Sequence, residues 1–265
     1  KDVDIDNKVD KDVVTKFSNS LGQKFEARDY QIDAIFHSLK RNRTLLVSPT
    51  ASGKSFIIYS LIRYYTHLIK ENVNNRILLI VPTTSLVEQM YTDFESYGWN
   101  VKKYCHRLYS GYSNQTDKKV LISTWQSLYK LPKSYFEQFG CVFGDEAHLF
   151  KSKSLTEIMT KLIDCKYRIG LTGTLDGAHT HKLVLEGLFG AVNKVTTTKK
   201  LMDKKQLSNL AVRCLILKHS EANAKIISKG KYQDEIDYLV GSVSRNNFIR
   251  NLALKLKGNT LILFQ

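Results

Sequence analysis

The residues best suited to chemistry lie in two short stretches, Ser48-Pro49-Thr50-Ala51-Ser52-Gly53-Lys54-Ser55 and Asp145-Glu146-Ala147-His148. The first follows the apolar run Leu45-Leu46-Val47 and opens a periodic apolar segment, Phe56 to Leu68, that reads as a helix. A strand, a small-residue loop and a helix in that order form a phosphate cradle, because the first N–H groups of a helix have no intrahelical partner. Lys54 can then reach the β- and γ-phosphates, and the Ser55 hydroxyl can ligate Mg²⁺. The loop departs from G-x-x-x-x-G-K-[ST] at its first position, where Ser48 stands in place of glycine. Gly-Lys-Ser alone recurs by chance as an ordinary strand-to-helix turn; its placement between strand and helix selects the nucleotide site.

The second stretch ends the apolar run Cys141-Val142-Phe143-Gly144 with two adjacent carboxylates, which are costly to bury unpaired. A divalent cation offsets that cost, with Asp145 holding Mg²⁺ and Glu146 orienting and deprotonating an attacking water. His148 is either a neutral residue at a helix start or a group facing the γ-phosphate side. Near the N-terminus, Arg28-Asp29-Tyr30-Gln31 begins a segment whose Tyr30, Ala34, Ile35 and Leu39 share one helical face. Two readings of it stand side by side: an amphipathic helix packed on a sheet, or one that also offers the Gln31 amide to an adenine edge.

Other apolar runs end in hydroxyls. Arg76 to Val81 is a strand leading to Pro82-Thr83-Thr84-Ser85 and a helix to about Tyr97; Val120 to Ser123 leads to Thr124-Trp125-Gln126; Tyr167 to Leu171 leads to Thr172-Gly173-Thr174. Hydroxyls at such junctions cap helices, and they also donate to nucleic-acid phosphates. Trp125 reads as a core residue more readily than as a base-stacking platform. Strands alternating with helices across short connections imply a parallel sheet covered on both faces, and ligands of such sheets bind at the carboxyl ends of the strands, where all these polar tips should converge.

The 265 residues are 43% hydrophobic and 25% charged, which suits a packed globular protein. Forty Lys and Arg against 25 Asp and Glu give a net charge of +15, and such a surface attracts polyanions. Nucleic acid is the leading partner and anionic membrane the second. Cys105, Cys141, Cys165 and Cys214 form no C-x-x-C pair and are expected as buried free thiols in a reducing compartment. No apolar run approaches the roughly 18 residues of a membrane span, and the N-terminus lacks a secretory h-region, so a soluble cytoplasmic protein is expected. Residues 1–24 read as a polar lead-in with a short helix at Val13, Val14, Phe17 and Leu21. From about Ala191 the chain turns basic and Thr-rich; Val212 to Leu217 reads as a strand, Tyr232 to Leu256 as helical, and Thr260 to Gln265 as a strand that stops as if cut.

ARDYQ, SPTASGKS, VPTTSLVEQM, STWQSL, GDEAHL and GLTGTL occur in the order and spacing of the Q-type motif and motifs I, Ia, Ic, II and III. Across residues 25 to 176 the sequence therefore resembles the first motor domain of superfamily 2 helicases. LPKSYFEQFG, LFGAVNKVTTTKKLMD and KYQDEIDYLVGSVSRNNFI extend the likeness to phage recombination helicases over nearly the whole chain, although Thr-Gly-Thr replaces the commoner Ser-Ala-Thr at motif III. The resemblance implies an α/β RecA-like P-loop domain at 25–190, preceded by the lead-in and followed at 191–265 by a basic section towards a second motor domain. It implies ATP-driven unwinding or branch migration of DNA junctions, D-loops and R-loops by a monomer, with Mg²⁺ as cofactor and RNA–DNA hybrid open as a further substrate. By position it assigns nucleotide contacts to Arg28, Tyr30, Gln31, Pro49, Thr50, Ala51, Ser52, Gly53, Lys54 and Ser55, and Mg²⁺ to Ser55 and Asp145. Catalysis falls to Glu146, Lys54 and His148. Nucleic-acid contact and coupling fall to Thr83, Thr84, Ser85, Thr124, Trp125, Gln126, Thr172 and Thr174.

Overall fold

The computed structural model describes residues 9–175, 179–208, 212–218 and 220–263. It divides into two compact units, Lys1–Asn209 and Leu210–Gln265.

The first unit is built on seven parallel strands: β1 (Arg43–Val47), β2 (Arg76–Val81), β3 (Cys105–Leu108), β4 (Val120–Thr124), β5 (Phe139–Gly144), β6 (Tyr167–Thr172) and β7 (Val192–Lys194), in the spatial order β3-β4-β2-β5-β6-β1-β7. Their registers bring the carboxyl tips level, with Val47 beside Thr172, Gly144 beside Gly170 and Val81 beside Thr124. Alternation along each strand feeds two cores, as a two-residue side-chain period requires. Leu46, Ile77, Leu79 and Phe143 enter one core; Leu45, Leu78, Ile80 and Val142 enter the other.

Helices α1 (Lys11–Asn19), α2 (Asp29–Arg41), α3 (Lys54–Leu68), α4 (Thr84–Ser96) and the short α5 (Val101–Tyr104) carry residues of the first core. The single turns α6 (Trp125–Leu128) and α7 (Lys133–Phe136), with α8 (Lys153–Lys161) and α9 (His179–Phe189), carry those of the second. The expected parallel sheet with helices on both faces is therefore present. Helix α10 (Thr198–Asp203) completes the unit. Residues 10–21 pack into this unit: Asp10 caps α1 by accepting the Asp12 N–H, Val14 and Leu21 are buried, and the Tyr59 hydroxyl donates to the Leu21 carbonyl at 3.0 Å.

The second unit contains α11 (Glu221–Ile227), α12 (Tyr232–Gly241) and α13 (Val243–Lys255). The single periodic segment expected from Tyr232 to Leu256 is broken at Ser242, whose backbone is extended and whose hydroxyl accepts the Arg245 N–H at 3.5 Å as the cap of α13. Two expected strands do not form. Residues 212–217 and 260–263 lie outside any ladder, and Phe264 and Gln265 fall outside the described residues. Their apolar side chains, including Ile216 and Leu263, are exposed. A strand is a paired element, and a β-prone sequence with no neighbouring edge has nowhere to place its backbone hydrogen bonds.

Candidate nucleotide site and nucleic-acid face

The phosphate loop runs from the tip of β1 into α3. Its Ser48, the residue that breaks the glycine pattern, is fully buried and holds the loop closed from within. The Ser52 hydroxyl donates to the Pro49 carbonyl at 2.6 Å, which leaves Ser52 Oγ as acceptor of the Ser48 hydroxyl at 2.7 Å. Ala51 sits in the left-handed region at φ 62°, and Gly53 at φ 77°. Gly53 also needs its bare Cα for space, since a Cβ there would run into Gln31 Nε2.

Helix α2 braces this loop from below. Gln31 is 4% exposed and donates from Nε2 to the Ser52 carbonyl at 3.0 Å, while its Oε1 accepts the Arg28 N–H at 2.9 Å. The Tyr30 hydroxyl donates to the same Ser52 carbonyl at 3.0 Å and accepts from Arg28 Nη1 at 2.8 Å. Both readings of the α2 segment thus meet in one place: the helix packs on the sheet, and Gln31 still has a second N–H and a second lone pair for a base edge. Pro49 is half-buried, and Thr50 and Ala51 are exposed at the loop's rim.

Lys54 Nζ lies 3.5 Å from Glu146 Oε1, and Glu146 Oε2 lies 3.4 Å from His148 Nδ1. His148 Nδ1 is also 2.9 Å from Thr172 Oγ1, and the Thr172 hydroxyl donates to the Thr174 carbonyl at 2.9 Å. Because that hydroxyl has one proton, the Thr172 oxygen must accept, so His148 carries hydrogen on Nδ1. A continuous polar line therefore runs from the phosphate-loop lysine to the loop after β6. Glu146 adopts the left-handed conformation at φ 48°, a strained setting for a residue with a Cβ, and this kink turns the chain into a short 3-10 turn at Ala147–Lys151.

Asp145 is 4% exposed, and its Oδ1 has no hydrogen-bond partner. Burial, reinforced by the Glu146 charge and only partly opposed by Lys54, pushes its carboxyl up to about 6. An orphaned carboxylate oxygen beside a second acid and the phosphate loop is a fitting place for a hard divalent cation. Ser55 stands on the first turn of α3 with its hydroxyl 2.9 Å from that of Tyr97. Tyr97 escaped sequence reading, as did Phe25, whose ring meets those of Phe56 and Tyr97 edge-on at 5.1 and 5.7 Å. No spacing rule links Ser55 to a tyrosine 42 positions away.

The hydroxyl-bearing tips lie along the same edge of the sheet. Thr83 caps α4 by accepting the Leu86 N–H at 3.3 Å; Thr84 and Ser85 are exposed on the first turn. Thr124 is buried with its hydroxyl 3.2 Å from that of Ser127, and Gln126 is exposed. Trp125 is half-buried with its ring 6.0 Å from that of Tyr129, partly in the core as its type suggested. Of the cysteines, Cys105, Cys141 and Cys165 are buried as expected, whereas Cys214 is exposed. No helix among the described residues is long and apolar enough to cross a membrane.

Comparison with known proteins matches this architecture. The chain is 36% identical over 241 residues to the ATP-dependent DNA helicase uvsW of Enterobacteria phage T4, covering 89% of this chain and 47% of the relative. It is 29% identical over 179 residues to the DNA 3'-5' translocase XPB2 of Sulfurisphaera tokodaii, covering 63% of this chain and 36% of that one. The crystal structure of T4 UvsW superposes with a TM-score of 0.64 at 33% identity, over 95% of this chain and 50% of that one. The Pyrococcus furiosus Hef helicase domain shares the fold, with a TM-score of 0.54 at 21% identity over 64% of this chain and 39% of that one. The chain thus spans half or less of the length of these relatives. A family model described as type III restriction enzyme, res subunit, matches residues 24–177, which hold the phosphate loop, Asp145-Glu146 and the Thr172 tip. The chain belongs to that family and, through it, to the superfamily 2 helicases, a class of ATP-hydrolysing enzymes.

Proposed function

We propose that this chain is the ATP-binding half of a DNA helicase that unwinds or branch-migrates junctions, D-loops and R-loops in phage recombination, repair and replication. The observation that carries the reading is the line Lys54–Glu146–His148–Thr172, which joins the phosphate loop to the tip of β6. Arg28, Tyr30 and Gln31 hold the base side, and residues 49–55 cradle the triphosphate. Lys54 leaves Glu146 for the γ-phosphate when ATP enters, which frees that carboxylate to accept the proton of the attacking water. Ser55 and Asp145 would hold Mg²⁺, which supplies charge neutralisation to the phosphates when bound. His148 donates to Thr172, so a change at Glu146 is felt at Thr172 and Thr174 and passes to the strand-gripping residues Thr83, Thr84, Ser85, Thr124, Trp125 and Gln126.

The same reading makes residues 25–190 the first motor domain, residues 1–24 a lead-in whose α1 packs into its core, and residues 191–265 a section that begins with β7 and α10 of that same unit before leading towards a second motor domain. The protein acts as a cytoplasmic monomer on single-stranded, forked or branched DNA, and RNA–DNA hybrid fits the same backbone-directed grip. The test is ATP turnover with and without forked DNA, for this chain and for one extended through a second motor domain. This chain alone should bind ATP and turn it over slowly, because an opposing arginine is worth about 10³ to 10⁵ in rate. Full DNA-stimulated turnover and strand separation by this chain alone would sink the reading. A second reading, duplex translocation without strand separation, draws on the similarity to XPB2. Triplex displacement without duplex unwinding by the extended chain would favour it.

A further inference from the structure

Strand β3 lies at one edge of the sheet, and the loop that follows it carries a stack of planar groups unused by ATP chemistry. The Arg107 guanidinium lies over the Tyr91 ring at 4.3 Å and over the Tyr112 ring at 5.4 Å. Glu88 on α4 accepts from both Arg107 and the Tyr109 hydroxyl, the latter at 2.6 Å. Tyr109 meets Tyr112 edge-on at 4.7 Å, and the His106 ring does the same at 6.3 Å. Tyr112 thus has Arg107 over its ring and Tyr109 and His106 at steep angles to it, yet it is 38% exposed. Beside it opens a cavity of about 510 Å³ lined by Thr83, Thr84, Tyr109, Ser110, Thr124 and Gln126.

These groups divide the work of holding a nucleotide. The hydroxyls suit a phosphate or sugar. Arg107 gives one of its N–H groups to Glu88, and the planar face of its guanidinium holds Tyr112. A stack of alternating planar groups that ends on an exposed ring has room for one more flat layer, and every nucleobase offers a π-face. Bases in a duplex are already stacked and paired, so the ring selects an unpaired strand.

We infer that Tyr112 is a stacking platform for an unpaired base of single-stranded DNA whose backbone lies in the adjoining cavity. The inference rests on the helicase reading above and adds to it a contact made by a base rather than by the backbone. Removing the ring should weaken single-strand binding about tenfold, within the usual range for one stacked base. It should leave the salt dependence unchanged, because no phosphate contact is lost.

The experiment measures fluorescence anisotropy of labelled oligo(dT), the same oligomer with internal abasic sites, and a blunt duplex. The proteins are the unmutated chain, Tyr112→Ala and Tyr112→Phe. We expect Tyr112→Ala to lose affinity for oligo(dT) but not for the duplex, Tyr112→Phe to bind as the unmutated protein does, and the abasic oligomer to bind both variants alike. Equal loss on single strand and duplex, an unaffected Tyr112→Ala, or a Tyr112→Phe as weak as Tyr112→Ala would each overturn the platform while leaving the motor reading in place. Failure of the unmutated protein to bind any DNA would overturn both.

Discussion

Replacing Asp145 with asparagine should make the metal-free protein more stable while abolishing its response to Mg²⁺ and nucleotide. The carboxyl is 4% exposed, one oxygen has no partner, and burial together with Glu146 raises it from 3.8 to about 6. A gap of about two pH units at about 1.4 kcal/mol each means that keeping Asp145 ionised costs the native state about 3 kcal/mol at pH 7. Asp145→Asn keeps the shape and removes the charge. At about 2–4 °C per kcal/mol for a chain of this size, it should melt about 6–12 °C higher in EDTA. The sign with pH follows from the same values. Because the native carboxyl lies above its unfolded value, the native state takes up a proton first, so wild-type stability rises as pH falls from about 6 towards 4. The gap between wild type and Asp145→Asn should close over that window. Thermal melts of both proteins at pH 7.5 and pH 4.5 in EDTA, repeated with Mg²⁺ and a non-hydrolysable ATP analogue, test this. A less stable Asp145→Asn at pH 7.5, or a gap that does not narrow with acid, would refute the idea that an unpaired buried carboxylate awaits a cation.

Three further outcomes follow from the same geometry. Lys54→Ala should abolish ATP turnover in a steady-state assay while circular dichroism stays unchanged, because the partner of Lys54 is Glu146 in the proposed site and not the core. Glu146→Gln should retain nucleotide binding by fluorescent-analogue titration yet lose about 10²-fold or more in turnover, the usual scale for a general base. Native alkylation at pH 8 should label one cysteine, identified by peptide mapping as Cys214. The other three are buried, and burial pushes the Cys165 thiol up to about 12, so they should react only after denaturation.

The strands β1, β2, β4, β5 and β6 and the placing of Lys54, Ser55, Asp145 and Glu146 were legible in the sequence, because a buried parallel strand must be a short apolar run and its chemistry must stand at the tip. The edge strand β3 was not, since only Cys105 and Leu108 of its four residues turn inwards, and β7 is three residues long and largely uncovered. In the sequence, Ser48 was only a departure from the glycine of the phosphate-loop pattern. Only the folded chain shows the buried Ser48–Ser52 pair that replaces the bare backbone. The two readings of the Gln31 segment were equally good on paper because sequence spacing says nothing of what Gln31 touches; the fold brings it under Ser52 across 21 positions of sequence, which shows the packing role and leaves the base contact a proposal. Residues 212–217 show the opposite case, a good local β pattern that remains unpaired because a ladder requires a neighbour that local sequence does not supply. Residue type and period, then, decided which elements form and where charge sits. The tertiary structure alone decided which polar groups share a proton, which carboxylate is left unpartnered and which tyrosine stands exposed, because each depends on contacts between segments far apart in the chain.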